Sequence, residues 1–197
     1  MSRSIHSLDR RSALKFIGAV AATVASIPLC SSASSGDWPL RSGIAGIDEQ
    51  HLWIRQVGKS EAVHTRFRFD DGQPDLNGVA DLSWLFRDWR DADQHHWIDV
   101  RLFDLLASIQ TFTSYIYGQP TELVLNSGYR TRRRNATIEG AAANSQHIHG
   151  RAADVTMTDV PHQDIRDAAE AAGANGIGRY PSFTHLDVGP GGRRWRG

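Results

Sequence analysis

The chain has 197 residues and carries 22 Lys and Arg against 22 Asp and Glu, a formal net charge of zero. That balance argues against a general nucleic-acid binder or a membrane-surface binder. A single cysteine, Cys30, excludes an intramolecular disulfide, and the length suits one domain with a sizeable core once a targeting segment is removed.

The amino terminus reads as that targeting segment. Asp9-Arg10-Arg11-Ser12-Ala13-Leu14-Lys15 is a twin-arginine pattern, Phe16 to Leu29 is an apolar run, and Ser, Ala and Gly dominate to Gly36. A buried helix would also be apolar, but the charged, apolar and small-residue zones come in signal order. Residues 1–34 are therefore expected to be a twin-arginine export signal, cleaved near Ser34, that delivers the mature protein to the periplasm. Cys30 suits lipid attachment, yet Leu29 before it is too large for a good lipobox, so an unanchored protein is the expectation. No later stretch is long and apolar enough to span a bilayer.

Residues 35–50 mix Pro, Gly and charge without periodicity and read as an irregular lead-in to a domain over 51–197. His51 to Gln56 and Glu61 to Phe69 are candidate strands around Val57-Gly58-Lys59-Ser60, which predicts a hairpin. After the turn Asp70-Asp71-Gly72-Gln73-Pro74, Leu82, Leu85, Phe86 and Trp89 recur at helical steps, and the polar run Asp91 to Trp97 breaks them. Asp99 suits an N-cap. Leu102, Leu105, Leu106, Ile109, Phe112 and Ile116 then line one helix face, and Gly118 and Pro120 end it. Leu123-Val124-Leu125 reads as a short buried strand. Thr131 to Asn144 fits a short helix or an ordered loop. Pro161 to Ala172 reads as a helix with Ile165, Ala168, Ala169 and Ala172 inward, and Gly176 to Tyr180 as a turn into a strand. Helices come first and the main sheet late, which predicts an α+β fold.

The chemistry-bearing residues lie in the last third. Read as a strand, Ala152 to Met157 puts Ala153, Val155 and Met157 on one face and Asp154 on the other. Phe183 to Val188 repeats the design, with Phe183, His185 and Asp187 on one face and Leu186 and Val188 on the other. If the two strands are neighbours, His147, Asp154 and His185 converge. Two imidazoles and one carboxylate, with a fourth position for water, make a catalytic zinc site. His149 leaves an alternative open, because His147-Ile148-His149 would itself make a passable ligand pair.

These residues resemble a known family. Ser145-x-His147-x-x-Gly150-x-Ala152-x-Asp154 followed by His185-x-Asp187 is similar to the zinc D-Ala-D-Ala carboxypeptidase and murein endopeptidase superfamily. Its periplasmic peptidoglycan endopeptidase branch is matched further by Ser127-Gly128-Tyr129-Arg130 with Asn135, by Gly176-x-Gly178-x-Tyr180-Pro181, and by Gly189-Pro190 before Arg194-Trp195. The resemblance runs from about Leu52 to the C-terminus. It implies a hedgehog-like α+β fold, a small antiparallel sheet holding zinc with helices packed on one side. It assigns the ligand to His147, with His149 at a variable position.

The same resemblance places Arg130 in the active site, where a guanidinium can fork onto a carboxylate or stabilise an oxyanion. It puts Ser145 beside substrate or the ligand loop; Ser145, Tyr129 and Arg130 are the expected substrate-binding residues, with Tyr129 suited to packing rather than catalysis. Many relatives carry an acid or a histidine three positions before the last ligand. Here that residue is Ser182, which leaves Asp187 either to accept a proton from the attacking water or to orient His185. Arg132-Arg133-Arg134 reads as a solvated face that could meet acidic groups of a cell-wall peptide, and His95-His96 as surface. The expected function is zinc-dependent hydrolysis of murein cross-links of the meso-diaminopimelate type by a monomer acting on peptidoglycan stem peptides. A D,D-carboxypeptidase that trims terminal D-Ala and a non-catalytic wall-binding module remain alternatives. Replacing Arg10 and Arg11 together with Lys is expected to block export, read as loss of the protein from the periplasmic fraction; unchanged export would refute the twin-arginine route.

Overall fold

Strand β1, His51–Gln56, alternates half-buried and buried residues, which places Leu52 and Ile54 in the core. In this computed structural model, which describes residues 49–197, it pairs antiparallel with β2, Ala62–Arg66, as the predicted hairpin. The export signal, Cys30 and nearly all of the lead-in lie outside the described residues.

Helix α1, Leu76–Leu85, is capped by the Asp75 carboxylate, and α2, Val100–Tyr117, by that of Asp99. Gly118 ends α2 in the left-handed conformation, φ 65°. The helix predicted to reach Trp89 stops earlier, with Phe86 as its C-cap. The Phe86 carbonyl instead accepts the Tyr129 N–H at 2.7 Å, tying this helix end to the loop after β3.

Strand β3, Leu123–Ser127, leads into the single turn α3, Arg132–Asn135. A 3₁₀ turn, Gln146–His149, precedes β4, Ala152–Met157. Helix α4, His162–Ala171, then delivers β5, Gly176–Arg179, which is followed by β6, Thr184–Asp187, and β7, Arg193–Arg196.

The α+β class holds, but the sheet is larger than expected. Its order is β2-β1-β3-β4-β6-β5-β7, and two of its pairings, β1 with β3 and β5 with β7, are parallel. A parallel pair needs a long crossover, which the chain from β2 through α2 supplies between β1 and β3. Strand β7 escapes a periodicity reading because Arg193-Arg194-Trp195-Arg196 carries no apolar alternation.

Helix α2 packs against β1 and α4, and α4 packs against β4, β5 and β6. Ala153, Val155 and Met157 of β4, Ile177 of β5 and Leu186 of β6 join Leu102, Leu106 and Ile109 of α2 and Ile165, Ala168 and Ala169 of α4 in one buried cluster. Asp154, His185 and Asp187 alternate with these residues and so fall on the sheet's other face. Among the described residues no helix is long and apolar enough to cross a membrane.

One buried side chain completes the sheet where β1 runs ahead of β3. The Gln110 amide accepts from Trp53 N at 2.9 Å and donates to Trp53 O and Thr121 O at 2.6 and 2.7 Å, as a strand residue would. Gln110→Leu keeps the volume but strands those three backbone groups. It is expected to destabilise the protein by about 2–3 kcal/mol, measured by urea unfolding; an unchanged midpoint would refute this role.

Candidate metal centre

The register of β4 against β6 sets Asp154 directly opposite His185, and both face away from the core. Residues so paired hold their Cβ atoms about 5 Å apart. The third group comes from the 3₁₀ turn. Ser145 caps that turn, its Oγ 3.4 Å from the His147 N–H, and Gly150 ends it at φ 62°. A left-handed residue is needed there, and a Cβ at Gly150 would also meet His96 and the Trp97 carbonyl at 2.9 and 3.0 Å.

Three atoms converge. His147 Nε2 lies 3.2 Å from Asp154 Oδ1 and 3.1 Å from His185 Nδ1, and His185 Nδ1 lies 2.9 Å from Asp154 Oδ1. The opposite side of each ring shows what these atoms carry. His147 Nδ1 is 2.6 Å from the Gly128 carbonyl, which can only accept, so Nδ1 bears the proton and Nε2 a lone pair. His185 Nε2 is 3.2 Å from Asp187 Oδ2, which leaves Nδ1 free to act as an acceptor in the same way. Three electron-rich atoms aimed at one point call for a cation. A tetrahedral zinc ion with bonds of about 2.0–2.1 Å holds its ligand atoms about 3.3 Å apart, close to the triangle found here. Among the described residues His147, Asp154 and His185 form the one cluster of potential metal ligands of this kind, and all three are buried.

Each of the three has a partner that orients it. The Arg130 guanidinium bonds Asp154 Oδ2, its Nε donates to Ser127 Oγ at 2.8 Å, and its backbone N–H donates to the His147 carbonyl. Asp187 Oδ1 accepts from Gly189 N at 2.8 Å and Arg193 Nη2 at 2.7 Å, so both carboxylate oxygens are engaged. Gly128, whose carbonyl orients His147, packs tightly on the other side, since a Cβ there would lie 2.5 Å from the Phe86 carbonyl.

Electrostatics follow from this packing. Burial works to raise the Asp154 carboxyl, but the imidazoles beside it outweigh that and hold it well below the ordinary carboxylate range. Burial lowers the His147 imidazole despite Asp154, which favours its neutral form. Burial opposes charge on His185 as well, yet the Asp154 and Asp187 carboxylates beside it win and raise it, so a cation at the site would compete with a proton for Nδ1. Burial is also the main cause lowering Arg130, against the pull of Asp154.

The other expected residues fall in different places. His95 and His96 are exposed, as expected, and Tyr129 stacks on His96 at 5.2 Å. His149 stays out of the cluster, with Nε2 bonded to Asn144 Oδ1 at 2.8 Å. Ser182 is exposed. Arg132 and Arg133 are exposed, as expected of a solvated face, although Arg133 pairs with Asp91 and the less exposed Arg134 with Asp88 at 3.4 Å.

Reading the sequence missed Asp88 and Asp91, both buried. Asp88 accepts the Thr131 N–H at 3.0 Å and Asp91 accepts from the Thr131 hydroxyl, which anchors the loop that carries Arg130. It also missed the covering of His185 by Trp195, whose rings are 5.0 Å apart. The available signal was Gly176-x-Gly178. The methyl of an alanine at Gly176 would sit 1.8 Å from Asp187 Oδ2, and one at Gly178 would sit 2.6 Å from the Trp195 ring.

The chain is similar to known proteins over most of its length. Residues 45–195 match the family described as peptidoglycan L,D-endopeptidase MepK. The chain is 36% identical to the probable peptidoglycan L,D-endopeptidase MepK of Haemophilus influenzae over 153 residues, 74% of this chain and 78% of that one. It is 33% identical to peptidoglycan L,D-endopeptidase MepK of Escherichia coli K12 over 150 residues, 73% of this chain and 79% of that one. Gly176→Ala is expected to push Asp187 off His185 and cost about 1–3 kcal/mol of stability, seen as a lower thermal midpoint; a midpoint equal to the wild type would show that the strand yields freely there.

Proposed function

Because this chain belongs to the MepK family of peptidoglycan endopeptidases, in the murein endopeptidase branch of the zinc peptidase superfamily, we propose that it hydrolyses peptide cross-links of peptidoglycan with a zinc ion held by His147, Asp154 and His185. The convergence of three lone-pair atoms within 3.2 Å of one another carries this reading. Bound there, zinc lowers the pKa of a coordinated water toward 7 and polarises a carbonyl.

The chain's own residues then divide the remaining work. Asp187 holds the His185 ring with its lone pair toward the site. With both oxygens engaged, it suits orientation better than proton transfer. Gly128 does the same for His147. Arg130 bonds the outer oxygen of Asp154 from inside the cleft, a position from which its charge can also steady an oxyanion. Ser145 fixes the turn that carries His147, and Tyr129 packs beside Arg130 as a wall for substrate.

The names of the relatives support the choice of bond. An L,D-endopeptidase cuts an amide that joins an L centre to a D centre, and a link between two meso-diaminopimelate residues has that arrangement. The reading includes action in the periplasm as a monomer, with residues 1–34 as a removed export signal, 35–50 as a lead-in and 51–197 as the peptidase domain.

The test is digestion of purified sacculi with zinc, with a chelator, and by His185→Ala. Loss of diaminopimelate-linked dimers is expected only with zinc and the intact triad, and His185→Ala is expected to lose metal and activity together. Release of terminal D-Ala from monomers in its place would make the protein a carboxypeptidase. Binding to sacculi without any hydrolysis would make it a wall-binding module.

A further inference from the structure

Tyr180 stands on the metal-site face with a hydroxyl proton that no described residue accepts. In β5, Gly176 pairs with Asp187 and Gly178 with His185. Two residues on, Tyr180 continues the same face, and its N–H bonds the Phe183 carbonyl at 3.3 Å. Its ring stacks on Phe183 at 4.5 Å, with Gly197 against it, so close that a Cβ there would lie 2.0 Å from the ring. Both contacts fix the ring's direction. The Trp195 indole, which can only donate, gives its N–H to Tyr180 Oη at 3.1 Å. A phenol whose oxygen already accepts turns its own O–H elsewhere. The same indole packs on His185, so this donor is held one ring's width from a proposed metal ligand.

We propose that Tyr180 is a catalytic residue whose O–H donates a hydrogen bond to the scissile carbonyl oxygen as water adds and that oxygen gains charge. The proton stays on the phenol throughout, and no bond of Tyr180 forms or breaks. Trp195 is a positioning residue that acts through Tyr180. A donor aimed in advance is effective because it need not reorganise during the reaction. The inference rests on the proposed endopeptidase reading.

The test compares the zinc-loaded mature protein with Tyr180→Phe, Trp195→Phe and the double variant. Each is assayed for kcat and KM on a purified diaminopimelate-linked dimer, for affinity to a phosphinate analogue of the tetrahedral adduct, for metal content and for thermal midpoint. Tyr180→Phe is expected to lower kcat about a hundred-fold and to weaken phosphinate binding by the same factor. KM, metal content and midpoint stay as in the wild type. The double variant is expected to be no slower than Tyr180→Phe alone, because the two residues act as one unit. Wild-type kcat in Tyr180→Phe overturns the inference alone, as does a loss that tracks lost metal or a lower midpoint. A wild-type protein that leaves the dimer intact overturns the endopeptidase reading and this inference with it.

Discussion

The pairing of Asp154 with His185 across β4 and β6 is the constraint on which the site depends. Side chains on a strand alternate faces, so a slip of one residue in either strand would turn Asp154 or His185 into the core and Ala153 or Leu186 out of it. The core blocks that slip. Ala153, Val155, Met157 and Leu186 are buried against α2 and α4, and exchanging any of them for a carboxylate or an imidazole would bury an unpaired polar group. The apolar face therefore fixes the register, and the register fixes the geometry of the His147, Asp154 and His185 cluster.

Register alone does not aim the rings. His147 is turned by a backbone carbonyl, His185 by a carboxylate and Asp154 by a guanidinium. Each support needs close approach, and glycine provides it at Gly128 and Gly176, where a Cβ would collide with the Phe86 backbone and with Asp187. The motif glycines are spaces for supporting groups as much as turn formers. The charges are arranged to the same end, with Asp154 held ionised and His147 held neutral in one buried cluster.

The surroundings of the cluster are assembled from distant parts of the chain. The loop carrying Tyr129 and Arg130 is tied at one end to Phe86 and at the other to Asp88 and Asp91. On the far side the terminal strand β7 runs parallel to β5 and lays Trp195 across Gly178 onto His185. Strand β7 thereby builds a wall of the site, which three arginines and one tryptophan do not announce by their composition.

Much of this could be read from the residues. Alternation in Ala152 to Met157 and around His185 gave the faces, helical spacing in Leu102 to Ile109 gave α2, and Asp99 and Gly118 gave its ends, because each of these is a local pattern with a local physical cause. Asp154 and His185 were legible for the same reason, as polar residues placed between apolar ones, whereas His147 was set apart from His149 by the family resemblance. Tertiary structure alone decided the parallel partners of β1 and β5, the early end of α1, the engagement of both Asp187 oxygens, and the meeting of Trp195 with Tyr180. These depend on hydrogen bonds and ring contacts between segments far apart in the chain or turned by loops. Such contacts impose no period on the sequence, so only the folded backbone brings them into being.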